Sequence, residues 1–141
     1  RIGNTCQLKG EFDKALEMEP DNKAVLMNKG VALGLLGQTQ KAEPFLKKAA
    51  DMAKDDIRPR FALIENSVRA GDQSGAERHA ERMFNEFSLS YVIAALDELA
   101  DNVRTAPMDA EIIFPVVKKV ADSRVAGLEM ASSAATDTCE L

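Results

Sequence analysis

Residues 23–56, KAVLMNKGVALGLLGQTQKAEPFLKKAADMAKDD, decide the fold. A helical run up to Leu36 is closed by Gly37, a residue that takes the left-handed backbone of a helix end without a Cβ penalty, and a second helical run follows. Sliding the chain along itself until Gly37 falls on Gly71 also places Ala42 on Ala76, and aligns the turns GQTQKAE and GDQSGAE. A fixed period of this length marks stacked helix-turn-helix units. Asp72 is suited to cap the orphan N–H groups of the helix that follows it. Small Ala42 and Ala76 let the two helices of each unit approach closely.

Outward from this unit the pattern continues in both directions. Pro20 ends whatever helix precedes it, and Asp21 or Asn22 caps the next. Before Pro20, residues 1–22 hold only part of a unit. Either the second helix is truncated at Gly10, or residues 4–19 form one continuous helix, which is preferred because a stub of about one and a half turns is hard to stabilise. On the other side, Leu89, Val92, Ile93, Leu96, Leu99, Ala100 and Val103 recur at three- and four-residue steps behind Ser88, an amphipathic helix with its cap. After the linker 104–109, Ile112, Ile113, Val116, Val117, Val120 and Leu128 mark one face of a last helix. Pro115 predicts a kink or a restart within it, whereas Pro44 and Pro59 are expected near the first turns of their helices. From Ser132 the chain is small and polar without apolar period, so 132–141 is expected to be disordered.

The composition agrees with packed helices. Hydrophobic residues make up 45% of the 141 but aromatics only 5%, with no Trp, which disfavours sheets. This length suffices for one domain that buries about two thirds of the unfolded chain's surface. The net charge of −5 speaks against nucleic acid, because the longest basic runs are the pairs Lys47-Lys48 and Lys118-Lys119. No apolar run is long enough to span a bilayer, so no membrane insertion is expected. Cys6 and Cys139 form neither a metal pair nor a close redox pair, and the usage leans towards a reducing, cytoplasmic setting. The opening at Arg1 inside a partial unit is read as an excised piece of a longer chain.

The unit resembles the tetratricopeptide repeat. In 23–56, Gly30, Gly37, Ala42 and Ala49 stand at the family's small positions, and Leu26, Leu33 and Leu46 at its large apolar ones. In 57–90, Leu63, Gly71, Ala76, Ala80 and Phe84 keep the register while Arg60, Ile64 and Ser67 depart from it. ALEMEPDN, 15–22, is similar to the family's helix ending and Pro-containing linker. The resemblance implies an all-α, right-handed α-α superhelix: a partial repeat over 1–22, repeats over 23–56 and 57–90, and capping helices over 91–131 that cover the apolar end of the stack.

Signals for catalysis are scarce. His79, the one histidine, lies in ERHAER and is expected on an exposed helix surface with no HExxH-type partner for a metal. Asp55-Asp56 and Asp97-Glu98-Asp101 read as a linker and a solvated face rather than paired catalytic carboxylates. The glycines of GVALGLLG lie within a helix and do not form a phosphate-cradling loop. No catalytic residue, cofactor or metal site is expected, and the chain is read as noncatalytic.

The helix VLMNKGVALGLL is apolar nearly all round, more than one packed stripe requires. Leu26, Gly30 and Leu33 serve the partner helix, which leaves Met27, Val31 and Leu35 to be covered by something else. By the resemblance, Met27, Asn28, Val31 and Leu35, continued by Arg58, Phe61, Glu65 and Arg69, line a concave groove that receives a protein or peptide segment. The alternative is that the terminal helix fills this groove through Ile112, Ile113, Val116 and Val117. Some members hold a C-terminal carboxylate with an Asn and basic clamp; Asn28 and Arg58 match it, but Ala62 stands where a basic residue is wanted. Further readings are an accessory region of a larger enzyme such as a glycosyltransferase, with catalysis upstream, and self-association through an exposed stack end.

Overall fold

Gly37 and Gly71 have φ of 82° and 76°, the left-handed values that the sequence requires of them. Around them the computed structural model places two turns with the same hydrogen bonds. Gln38 N–H donates to the Leu33 carbonyl at 2.9 Å and Gly37 N–H to Gly34 at 3.0 Å; at the equivalent places in the second turn, Asp72 N–H donates to Ser67 at 2.9 Å and Gly71 N–H to Val68 at 3.0 Å. Each turn thus satisfies two terminal carbonyls of the preceding helix.

The structure describes Gly10, Glu11, Asp13, Lys14, Met18, residues 22–101 and residues 108–140, the last with side chains up to residue 127. Six helices are bounded there: α1 Lys23–Leu35, α2 Thr39–Met52, α3 Arg58–Arg69, α4 Gln73–Glu86, α5 Leu89–Asp101 and α6 Ala110–Glu140. The continuous helix preferred for 4–19 lies mostly outside these residues; Gly10, Glu11, Asp13, Lys14 and Met18 are each helical. Helices α1 and α2, α3 and α4, and α5 and α6 pack as antiparallel pairs. Helix α3 lies against both α1 and α2, and α6 lies against both α3 and α4.

The helix starts are held by short polar side chains. Asn22 Oδ1 accepts from the Ala24 and Val25 amides, Asp72 Oδ1 from Gly75 at 2.9 Å, and Ser88 Oγ from Tyr91 at 3.2 Å. Gln38, which stands where Asp72 stands in the second pair, makes no such bond. Within the first pair, a Cβ on Gly30 would lie 2.6 Å from Leu46, so the close approach of α1 to α2 depends on that missing carbon. The equivalent positions of the second pair hold Ile64 and Ala80, both fully buried. The bulk has changed sides while its sum is nearly kept, which is the substitution pattern a packed core tolerates best.

The helix bounds bear on three local expectations. Of the kink or restart expected at Pro115, the restart does not occur: α6 runs through it, and burial of Ile113, Val116, Val117 and Val120 on either side outweighs the lost hydrogen bond. Pro44 is the sixth residue of α2, just beyond its first turn, and Pro59 is the second residue of α3. Helix α6 is bounded at Glu140, and its stretch from Ser132 contains neither Gly nor Pro to interrupt it.

The centre of the molecule is α3. All seven residues from Phe61 to Ser67 are buried, so this helix is covered all round. Its sequence, RPRFALIENSVR, is not that of an apolar rod, and Arg60, Asn66 and Glu65 are buried with a hydrogen bond each to a neighbouring element. Arg60 makes a two-pronged bond to Glu86 of α4, with Nη2 2.8 Å from Oε1 and Nε 3.2 Å from Oε2. Asn66 Nδ2 donates to the Thr39 carbonyl of α2 at 3.0 Å. Glu65 Oε2 accepts the Asp109 N–H ahead of α6 at 2.5 Å. Phe61, Leu63 and Ile64 supply the apolar gain, each worth about 1.5–3 kcal/mol for full burial.

Candidate interaction surface

The eight residues assigned to a groove all lie on α1 and α3, two helices that contact each other. Met27, Val31, Phe61 and Glu65 are buried, Asn28 and Leu35 half-buried, and Arg58 and Arg69 exposed. Met27, Val31 and Phe61 belong to the same core cluster as Met108, Ile113, Val116 and Val117. The surplus apolar stripe of α1 is therefore largely consumed by internal packing. What remains accessible is a rim of Asn28, Leu35, Arg58 and Arg69 around a covered floor.

The start of α6 provides part of that cover. The Glu65 carboxylate sits at the N-terminal end of α6, where the helix dipole and the unpaired N–H groups favour a negative charge. It accepts from Asp109 N–H and, at 3.3 Å, from Arg69 Nε one turn along α3. Burial raises its pKa above the usual carboxylate value, and the Asp109 amide and Arg69 partly offset this. Asp109 in turn caps its own helix through the Glu111 amide at 2.9 Å. The chain just ahead of the terminal helix thus meets this face at Asp109. Ile113, Val116 and Val117 are buried and Ile112 is half-buried, and α6 packs chiefly on α3, α4 and α5.

The rim is charged and partly self-satisfied. Arg58 is held by Asp56 through Nη2–Oδ2 at 2.7 Å and Nε–Oδ1 at 3.0 Å, and the Asp56 carboxylate also accepts the Arg58 amide. These bonds from Arg58 keep the Asp56 pKa below its usual value despite partial burial. Lys29, on another side of α1, pairs with Asp13 at 2.5 Å and lies 4.5 Å from the Phe45 ring centroid, tying the N-terminal helical residues to the first pair.

His79 is not on the exposed surface expected of it: it is 9% exposed, with Nε2 3.8 Å from Glu43 Oε1 of α2. Its charged neighbours in sequence point one way, but its spacing from Ala76 and Met83 places it on the buried stripe of α4. Burial lowers its pKa, with Glu43 acting in the opposite direction. Asn66 is likewise absent from the sequence-derived set. Its Oδ1 is buried without a hydrogen-bond partner and lies 2.9 Å from where a Cβ on Gly34 would be. Gly34 and Asn66 together allow α3 to approach the turn between α1 and α2.

Among the described residues there is no group of three or more His, Cys, Asp or Glu side chains placed to hold a metal ion, and no helix long and apolar enough to cross a membrane. Comparison of the chain with protein-family models, with curated proteins and with solved structures found no match.

Proposed function

We propose that the chain is a noncatalytic helical scaffold of the tetratricopeptide type that binds a segment of another protein on the α1–α3 face. The observation that carries the reading is the pair of turns at Gly37 and Gly71, alike in φ and in both hydrogen bonds, at the interval by which the sequence repeats. Two helix pairs, each with the same turn between its helices and packed so that α3 meets both helices of the first pair, are what a stacked array uses to build a continuous surface. In this reading α5 and α6 form the terminal cap.

The face already receives a helix, its own, at Glu65, which supports the view that it suits helix docking. A partner reaches Asn28, Leu35, Arg58 and Arg69 directly and gains Glu65 when the start of α6 lifts away. The test uses the full chain as bait, with the retained protein identified and then purified for direct titration. Asn28→Ala and Arg58→Ala, at accessible polar positions outside the core cluster, are expected to weaken binding at least tenfold with little change in melting temperature. Glu65→Ala, which loosens α6, is expected to strengthen it. Binding indifferent to all three would refute the assignment of this face. Aspartate at Met27 or Val31 would report on folding instead, because both side chains are buried.

A further inference from the structure

A cleft of about 380 Å³ opens between α4 and α6, lined by Glu77, Arg78, Glu81, Arg82, Val120 and Ser123. Its two acids are already matched across the cleft: Glu77 Oε1 lies 3.1 Å from Lys119 Nζ, and Glu81 Oε2 lies 2.9 Å from Arg124 Nη1. Arg124 is further fixed by Asn85 and by the Phe84 ring, 5.7 Å from its centroid. The two arginines are different. Among the described residues, neither Arg78 nor Arg82 takes part in an ion pair or a hydrogen bond. They stand one turn apart on α4, where like charges repel, and a single anion between them removes that repulsion. Buried Val120 gives the cleft an apolar floor, which strengthens any charge interaction made over it.

We propose that this cleft binds a phosphate dianion carried on a phosphorylated side chain of a partner, with Arg78 and Arg82 as the clamp and the Ser123 hydroxyl as a third donor. The local charge selects the ligand. The chain as a whole is at −5, yet the cleft and its α6 wall gather four cations against two carboxylates. A phosphate at about −1.5 to −2 matches that excess, and its three oxygens match two planar guanidiniums and a hydroxyl better than a monoanionic carboxylate does. The site is separate from the α1–α3 face and does not depend on it.

The test is amide-resolved NMR of the full chain at fixed ionic strength, titrated with inorganic phosphate against chloride, then with a short phosphoserine peptide and its unphosphorylated form. Saturable shifts confined to residues 77–82 and 120–124 are expected with phosphate, tighter binding with the phosphopeptide, and none with the unphosphorylated peptide. Arg78→Gln and Arg82→Gln are each expected to weaken binding about tenfold, the loss of roughly one charge-assisted bond, without lowering the melting temperature. If inorganic phosphate saturates the cleft and the phosphopeptide does not, the partner-borne ligand is overturned and the cleft takes free phosphate. If neither saturates, or the double variant binds as the parent does, the site itself is overturned.

Discussion

At the scale of single residues, the legible positions are those whose roles are local. Gly37, Gly71, Asp72 and Ser88 act within a turn of their own backbone, so the pattern of neighbours along the chain specifies them. His79 misleads because its immediate neighbours are charged, while its environment comes from α2 across the pair. Two expectations belong here. Gly30→Ala forces a methyl group against Leu46 and is expected to cost about 1–3 kcal/mol in urea unfolding. Leu46→Ala alone costs about 2–5 kcal/mol. Combined, the two should cost less than their sum, since the new methyl occupies space that Leu46 vacates; strict additivity would show that the two side chains do not share that space. The second concerns pH. With the folded-state pKa of His79 held below 6.5, the unfolded chain takes up its proton first as the pH falls. The His79 contribution is therefore level above that value and declines as the pH drops through and below 6.5. Subtracting the pH profile of His79→Gln from that of the parent isolates this slope, and a flat difference from about one unit above the ordinary histidine value to about one unit below it would contradict it.

At the scale of elements, the helices follow from periodicity and their ends from caps, but polar contacts between helices do not. α4 is capped by Asp72, whereas α2 starts at Gln38 with a similar backbone, φ −93° and ψ 58° against −99° and 80°, and no side-chain bond. Gln38→Asp should thus stabilise the protein by about 1 kcal/mol, and Asp72→Ala should destabilise it by about the same amount, read from denaturation midpoints at unchanged slope. An unchanged midpoint for Asp72→Ala would mean that the bond at Gly75 contributes nothing. Nothing comparable can be read for α3. Arg60, Glu65 and Asn66 look like an exposed polar set, and only the placement of Glu86, Asp109 and Thr39 makes their burial possible.

At the scale of the whole molecule, α5 depends on α6, its principal packing partner among the described helices, while α6 reaches back to α3 and α4. Ile113→Ala, at a fully buried position, is expected to cost about 2–5 kcal/mol and to release hydrogen-exchange protection in α5 and α6 together, leaving α1 and α2 protected. Protection retained in α5 alone would break that dependence. The sequence by itself determined the all-helical class, the regular spacing of the two pairs and the turns that join the helices of each pair, because glycine conformation, capping and helical period are properties of neighbours along the chain. It also marked α1 as over-apolar. Only the tertiary structure decided where that excess goes. Met27 and Val31 are buried, the start of α6 meets Glu65, and the centre shifts from α1 to the more polar α3, since burial of a charged or amide side chain is tolerable only where a distant residue completes its hydrogen bond.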